Sequence, residues 1–374
     1  MKNILLHTPE GVRDIYGNEL AGKEHIEQVI GRKLSSFGYE SIETPTFEFF
    51  DVFSKEIGTT PSKELYKFFD KEGNTLVLRP DFTPSIARCA AKYYMDETQP
   101  IRFCYKGNTF INGSLQGKLK EITQMGAELM NDDSVEADAE MIALVVESLL
   151  QTGLKEFQLS IGEVEYFKGL CEEAGLSTET AEDLRELISG KNLFGAEELL
   201  KERNVCIEER ERLLKVSDFF GAVEILDEAE NQVHNETSKQ AVLHLKKLYE
   251  VLKAYGVEKY ISFDLGMLSK YHYYTGVIFK AFSYGVGDAI VKGGRYDKLL
   301  GYFGKCAPAI GFAVVIDDLL LSLERQNGTY REKPVVQKIT YTESNYTEKL
   351  KTAQALRSEG RRVALIPESE RTEV

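Results

Sequence analysis

The sequence predicts an α+β fold: an antiparallel sheet flanked by helices, with a helical insertion and a short C-terminal β-α-β piece. Three observations lead there. Runs rich in aromatic and β-branched residues follow one another at hairpin spacing up to Ile161 and again after Tyr260, rather than alternating with single helices. Between about residues 167 and 256 they give way to acidic, leucine-rich segments of helical period. After Gln326-Asn-Gly-Thr, which reads as a linker, only about forty residues remain past Lys333. At 374 residues, 43% hydrophobic and 28% charged, the chain can bury a large core. Residues 1–325 therefore read as one large domain carrying the insertion, and 333–374 as a small truncated region.

Thr8 to Asp14 reads as a loop. Apolar Ile26, Val29, Ile30, Leu34 and Phe37 predict a helix from about Leu20 to Phe37, stopped by Gly38. Glu40 to Pro45 reads as a strand, and Tyr66–Phe69 with Thr75–Leu78 as a hairpin around Asp70-Lys-Glu-Gly-Asn. Pro84 to Tyr94 reads as a helix, and Ile101–Lys106 and Lys120–Leu129 as strands. Asp133 or Ser134 then caps a helix to about Gln151, and Glu156–Ile161 is a strand. Within the insertion Ser177–Ser189, Phe194–Arg203 and about Thr237–Ala254 read as helices whose leucines form their own core. Strand signals resume at Tyr260–Leu265, Tyr273–Phe282, Asp288–Val291 and Ala309–Ile316, the last passing into a helix through Leu323. Pro334–Tyr341, Tyr346–Ser358 and Val363–Ile366 form the β-α-β pattern.

The balance of 60 acidic against 46 basic residues leaves a net charge of −14, which repels phosphate backbones and disfavours a nucleic-acid partner. No apolar run reaches the roughly 20 residues that span a bilayer, and no basic-then-apolar leader opens the chain, so the cytoplasm is the default location. Cys89, Cys104, Cys171, Cys206 and Cys306 form no CxxC pair and read as buried free thiols. Neither they nor the five scattered histidines suggest a metal site, and no cofactor is implied.

A pocket for a free amino acid needs acceptors for the ammonium in a desolvated cleft, and an imidazole needs an acceptor and a donor, or two acceptors when protonated. Asp81 and Thr83 are two apart, so on extended backbone both face one side. Gln124, Gly126 and Glu128 repeat the same period, the glycine leaving room for a ligand. Taken singly, a strand glutamate more often faces solvent, paired tyrosines are more often core, and Gly-Gly is more often a turn. Their combination in four segments is specific: Leu76-Val-Leu-Arg-Pro-Asp-Phe-Thr-Pro-Ser-Ile-Ala-Arg88, Ile122-Thr-Gln-Met-Gly-Ala-Glu128, Tyr271-His-Tyr-Tyr-Thr-Gly-Val-Ile-Phe279 and Lys292-Gly-Gly-Arg-Tyr-Asp297.

In this order and spacing the four segments resemble the amino-acid-binding core of the histidyl-tRNA synthetases, which are class II aminoacyl-tRNA synthetases. The resemblance covers about Thr8 to Leu323 apart from the insertion. It implies that Asp81, Thr83 and Gln124 hold a histidine ammonium and that Glu128 and Tyr274 hold the imidazole. Tyr273, pointed to the other face by strand alternation, ranks second, and Gly293 and Gly294 bring backbone close beneath the ligand.

The catalytic cations of that family are missing. The second signature motif reads Gly107-Asn-Thr-Phe-Ile-Asn-Gly-Ser-Leu-Gln-Gly117, with Ile111 in place of an arginine and a loop one residue short. The third reads Pro308-Ala-Ile-Gly-Phe-Ala-Val-Val-Ile-Asp-Asp-Leu319, with Asp318 where an arginine would meet ATP. Ser269 stands in place of a further arginine, beside Lys270. An aspartate at a triphosphate site repels ATP, so no catalytic residue is assigned. The tail is too short for an anticodon-binding domain. The resemblance therefore points to the non-catalytic branch that serves as regulatory subunits of ATP phosphoribosyltransferase. It implies self-dimerisation, a hetero-octamer with a short-form catalytic subunit, and feedback inhibition by histidine. An active histidyl-tRNA synthetase, a stand-alone histidine-binding paralogue, and an unrelated enzyme using Asp81 and Glu128 are the alternatives.

Overall fold

The computed structural model describes residues 6–53, 60–113, 119–268, 273–326 and 335–368. The chain divides into two compact units, one of residues 1–14 and 23–328, the other of residues 15–22 and 329–374.

Helix α1 (Gly17–Ser36) ends as its sequence demands. Gly38 adopts φ 81°, and the amides of Phe37 and Tyr39 both turn back onto the Leu34 carbonyl. The following strand is shorter than expected: β1 (Glu40–Ser41) is separate from β2 (Phe47–Phe49), which joins β3 (Lys67–Phe69) and β4 (Thr75–Leu78) in a small antiparallel sheet. Helix α2 (Thr83–Tyr93) leads to the long hairpin β5 (Ile101–Phe110) and β6 (Glu121–Met130). Helix α3 (Val135–Gln151) is capped by Ser134, whose Oγ accepts from the Ala137 amide at 3.2 Å. Strand β7 (Phe157–Glu163) precedes six helices: α4 (Val164–Glu173), α5 (Thr178–Ser189), α6 (Leu193–Glu202), α7 (Ile207–Lys215), α8 (Ile225–Asn231) and α9 (Glu236–Tyr255). A two-residue strand β8 (Phe220–Gly221), not anticipated from sequence, interrupts them. Then come β9 (Ile261–Asp264), β10 (Val277–Ser283), β11 (Val291–Arg295), β12 (Ala309–Val315) and α10 (Ile316–Arg325).

Nine of these strands form one sheet in the order β1-β5-β6-β12-β11-β10-β7-β9-β8. It is mixed rather than wholly antiparallel, because β1 runs parallel to β5 and β7 parallel to β9. The helices between β7 and β9 supply the long crossover that a parallel pair requires. Side chains at even positions of β6 and odd positions of β12 share one face. The other face carries Leu159, Ile161, Ile310, Phe312 and Val314, all buried, with α3 and α9 packed on that part of the molecule. In α3, Ile142, Val145, Val146 and Leu149 are fully buried, each worth about 1.5–3 kcal/mol relative to exposure.

In the second unit β13 (Gln337–Tyr341) and β14 (Val363–Pro367) pair in parallel around α11 (Tyr346–Ser358), with Ala353 and Val363 buried. The cysteines form no disulfide, and not all are buried: Cys104 and Cys171 are, Cys89 is half-buried, and Cys206 and Cys306 are exposed. No helix among the described residues is long and apolar enough to cross a membrane, and no cluster of His, Cys, Asp or Glu there could hold a metal.

Candidate functional site

Strand register builds the floor of the site. Phe103, Glu128, Gly311, Gly294, Ile278 and Gly162 lie directly opposite one another across six strands, as do Tyr105, Gly126, Ala313, Lys292, Lys280 and Ser160 in the next row of the same face. Glycines in the first row let large side chains lie flat on the backbone. A Cβ on Gly311 would collide with the Glu128 carboxylate, and one on Gly294 would sit 2.7 Å from the Tyr274 ring. A Cβ on Gly126 would meet the Tyr105 hydroxyl. Tyr105 in turn stacks on Phe82 with ring centroids 4.4 Å apart.

Glu128 is the centre of this floor and is fully buried. Thr83 Oγ1 donates to its Oε1 at 2.8 Å, and the Tyr296 hydroxyl donates to its Oε2 in a very short hydrogen bond. Burial raises the Glu128 carboxyl to about 8; the two hydrogen bonds oppose this, and the negative charge of Asp81 adds to it. No cation pairs with Glu128 among the described residues, so a donor N–H or an imidazolium arriving here would favour the carboxylate. Gln124 lies on the same face, and its Oε1 is buried without a hydrogen-bond partner, an acceptor suited to an ammonium. Asp81 Oδ1 accepts from the Thr83 amide at 3.2 Å.

The structure thus brings Asp81, Thr83, Glu128, Tyr274 and Gly294 together and sets Gln124 on the same face two rows away, by local geometry that differs in part from the sequence reading. Thr83 faces Glu128 because it opens α2, with Asp81 folded back onto its amide, and not because the two alternate along a strand. Tyr273 and Tyr274 precede β10, which begins at Val277, so strand alternation does not set their directions. Tyr273 is buried in the cluster with Phe82, Tyr105 and Tyr296, 6.0 Å edge-on from the Tyr296 ring, and Tyr274 packs against the same cluster. Gly293 belongs to β11 and faces the other side, where the Phe279 ring fills its space, so only Gly294 lies under the site. Ser269 and Lys270, and most of the loop after Gly113, lie outside the described residues.

The sequence reading missed Tyr296 as the second donor to Glu128. The signal was present: it stands two residues beyond Gly294, so the period that placed Gly294 also places Tyr296. Between them Arg295 points to the opposite face. Its Nε and Nη2 donate to Asp138 Oδ1 at 2.9 and 2.6 Å, and its Nη1 donates to the Asp132 carbonyl at 3.0 Å. Asp138 also lies 3.1 Å from His244 Nε2, and His244 Nδ1 lies 3.0 Å from Glu163 Oε2. Burial lowers the His244 pKa, but the two carboxylates outweigh it and hold the imidazolium to about 9. Tyr274 also lines a cleft of about 420 Å³ with Thr275, Lys298, Phe167, Lys168 and Arg185.

A family model for histidyl-tRNA synthetase matches residues 11–319. The ATP phosphoribosyltransferase regulatory subunit of Acetivibrio thermocellus is 42% identical over 356 residues, covering 95% of this chain and 85% of that relative. The chain belongs to the ATP phosphoribosyltransferase regulatory subunit family, a branch of the histidyl-tRNA synthetase-like proteins. The family's member from Clostridium acetobutylicum is 37% identical, over 97% of this chain and 90% of its own. A solved structure described as an ATP phosphoribosyltransferase regulatory subunit/histidyl-tRNA synthetase from Bacillus halodurans superimposes with a TM-score of 0.90 at 33% identity, covering 100% of this chain and 96% of that one. A histidyl-tRNA synthetase from Nostoc has the same fold, with a TM-score of 0.81 at 21% identity over 98% of this chain and 87% of its own. Family membership therefore accounts for the class II synthetase-like α+β architecture.

Proposed function

We propose that this chain is a non-catalytic regulatory subunit that a short-form ATP phosphoribosyltransferase catalytic subunit requires for activity, and that it carries feedback inhibition by histidine bound at Glu128. The observation that carries the reading is the fully buried Glu128 carboxyl, held by two hydroxyl donors and lacking a cation among the described residues, on the strand face that also carries the unsatisfied Gln124 acceptor. Asp81 and Gln124 would take the ammonium, and Glu128 with Tyr274 the imidazole. Loss of catalysis rests on Ile111 and on Asp318, which stands beside Asp317 in the first turn of α10 and makes an ATP triphosphate unwelcome there. Inhibition would be a coupling free energy: histidine must bind one state of the assembly better than another.

The assembly is proposed to be a hetero-octamer built on dimers of this chain, in the cytoplasm. The small sheet of β2, β4 and β3 leaves Phe47, Phe49 and Phe68 exposed on one face, an aromatic surface suited to a second copy. The helices from Val164 to Tyr255 form the proposed insertion within a core domain, and residues 333–374 a separate small region.

Reconstitution with a short-form catalytic subunit tests the function. The mixture should transfer the phosphoribosyl group and lose activity with histidine, and Asp81→Ala should abolish the inhibition while the complex still elutes intact. Catalytic subunit activity unaffected by this chain, or histidine-dependent ATP–pyrophosphate exchange by this chain alone, would overturn the reading.

A further inference from the structure

We infer that Lys292, assisted by Lys280, forms the anion subsite that receives the carboxylate of the amino acid bound at Glu128; this rests on the histidine-pocket reading above. An α-carboxylate lies one bond from the carbon that bears the ammonium, so a ligand with its ring at Glu128 and its ammonium near Gln124 must present a negative charge between them and the open edge of the floor.

The register shows what waits there. Lys292 lies directly opposite Ala313 on one side and Lys280 on the other, and the row continues to Gly126 and Ser160. This row is one same-face step, roughly 7 Å along the strands, from the row of Glu128, Gly311 and Gly294. The Glu128 row is closed over, whereas Ala313, Lys292, Lys280 and Gln124 are each half-buried. Ala313 is small enough for the Lys292 stem to extend across it towards Gln124.

Lys280 also lies within the field of the Asp264 carboxylate, which makes it the secondary cation of the pair. Other cations nearby point away from this face or are spent on backbone carbonyls. Arg295 and Lys106 alternate to the opposite face, where they meet Asp138 and Glu27. Arg79, buried beside Gly107, spends its guanidinium on the Thr44 and Asn108 carbonyls and stacks on Phe82. Among the described residues of β5, β6, β12, β11, β10 and β7, Lys280 and Lys292 are the cations on the site-bearing face. Lys292 contacts Asp288 at 3.2 Å, with side chains 36% and 49% exposed. An ion pair that exposed is worth little, so a ligand carboxylate can replace it.

Calorimetric titration of the full chain with L-histidine and with histamine, which keeps the ring and ammonium but lacks the carboxylate, tests the assignment. The unaltered protein should prefer histidine. Lys292→Met should weaken histidine binding by about ten- to hundredfold, the range for losing one charged hydrogen bond, and leave histamine binding unchanged. Lys280→Met should act in the same direction more weakly, and Lys292→Arg should keep most of the preference; thermal unfolding of each variant checks that it is folded. Equal affinity of the unaltered protein for the two ligands, an unaffected Lys292→Met, or equal loss of both ligands would overturn the subsite. No binding of histidine by the unaltered protein would instead overturn the pocket reading beneath it.

Discussion

The two faces of the central sheet each bury carboxylates, and they treat them in opposite ways. On one face Asp138 and Glu163 are paired with the cations Arg295 and His244, and Arg295 also reaches Asp297. On the other, Glu128 has hydroxyl donors alone among the described residues, and burial drives its carboxyl up to about 8. The first arrangement gives each carboxylate a cation and lies between the sheet, α3 and α9. The second is left one partner short, the condition expected of a surface whose partner arrives from outside. Three consecutive residues of one strand end join the two: Gly294 supports Tyr274, Arg295 anchors the closed cluster, and Tyr296 reaches Glu128.

This contrast can be broken by substitution, the largest effect first. Arg295→Met should destabilise the fold by about 3–5 kcal/mol in urea unfolding, because it strands a buried Asp138. A loss below about 1 kcal/mol would show that Asp138 does not depend on the arginine. Glu128→Gln should leave the fold standing but weaken histidine binding by roughly 1–3 kcal/mol in calorimetry. Unchanged affinity would place the ring elsewhere.

The pH response sharpens the comparison. A carboxyl whose folded pKa is raised binds more protons folded than unfolded, so Glu128 makes the empty protein less stable as pH rises between about 4.5 and 8. His244, raised from 6.5 to about 9, contributes stability that is fully present below 6.5 and is lost as pH climbs through about 9. Melting temperature should therefore fall from pH 6 to pH 9. Glu128→Gln should flatten the acidic part of that slope and His244→Asn the alkaline part; identical slopes in all three proteins would contradict both assignments. The smallest effect belongs to Tyr296→Phe, which removes one donor and should weaken histidine binding by about 1 kcal/mol while pushing the Glu128 carboxyl further up.

The local periods of the chain were enough to place Gln124, Gly126 and Glu128 on one strand face, to stop α1 at Gly38 and to start α3 at Asp133 or Ser134, since each depends on neighbours a few residues apart. Helical spacing marked α5, α6 and α9 for the same reason, but not the helices α4, α7 and α8 beside them. Local periods misread Tyr273, Tyr274 and Thr83, where a turn and a helix start replace extended backbone, and they did not separate Gly293 from Gly294. Only tertiary structure decided that Thr83 and Tyr296 converge on one carboxyl, or that Arg295 meets Asp138 across 157 residues of chain. Periodicity tells which way a side chain leaves its own backbone; what it meets there depends on which strand the register sets opposite, and that is settled by burying the whole sheet at once.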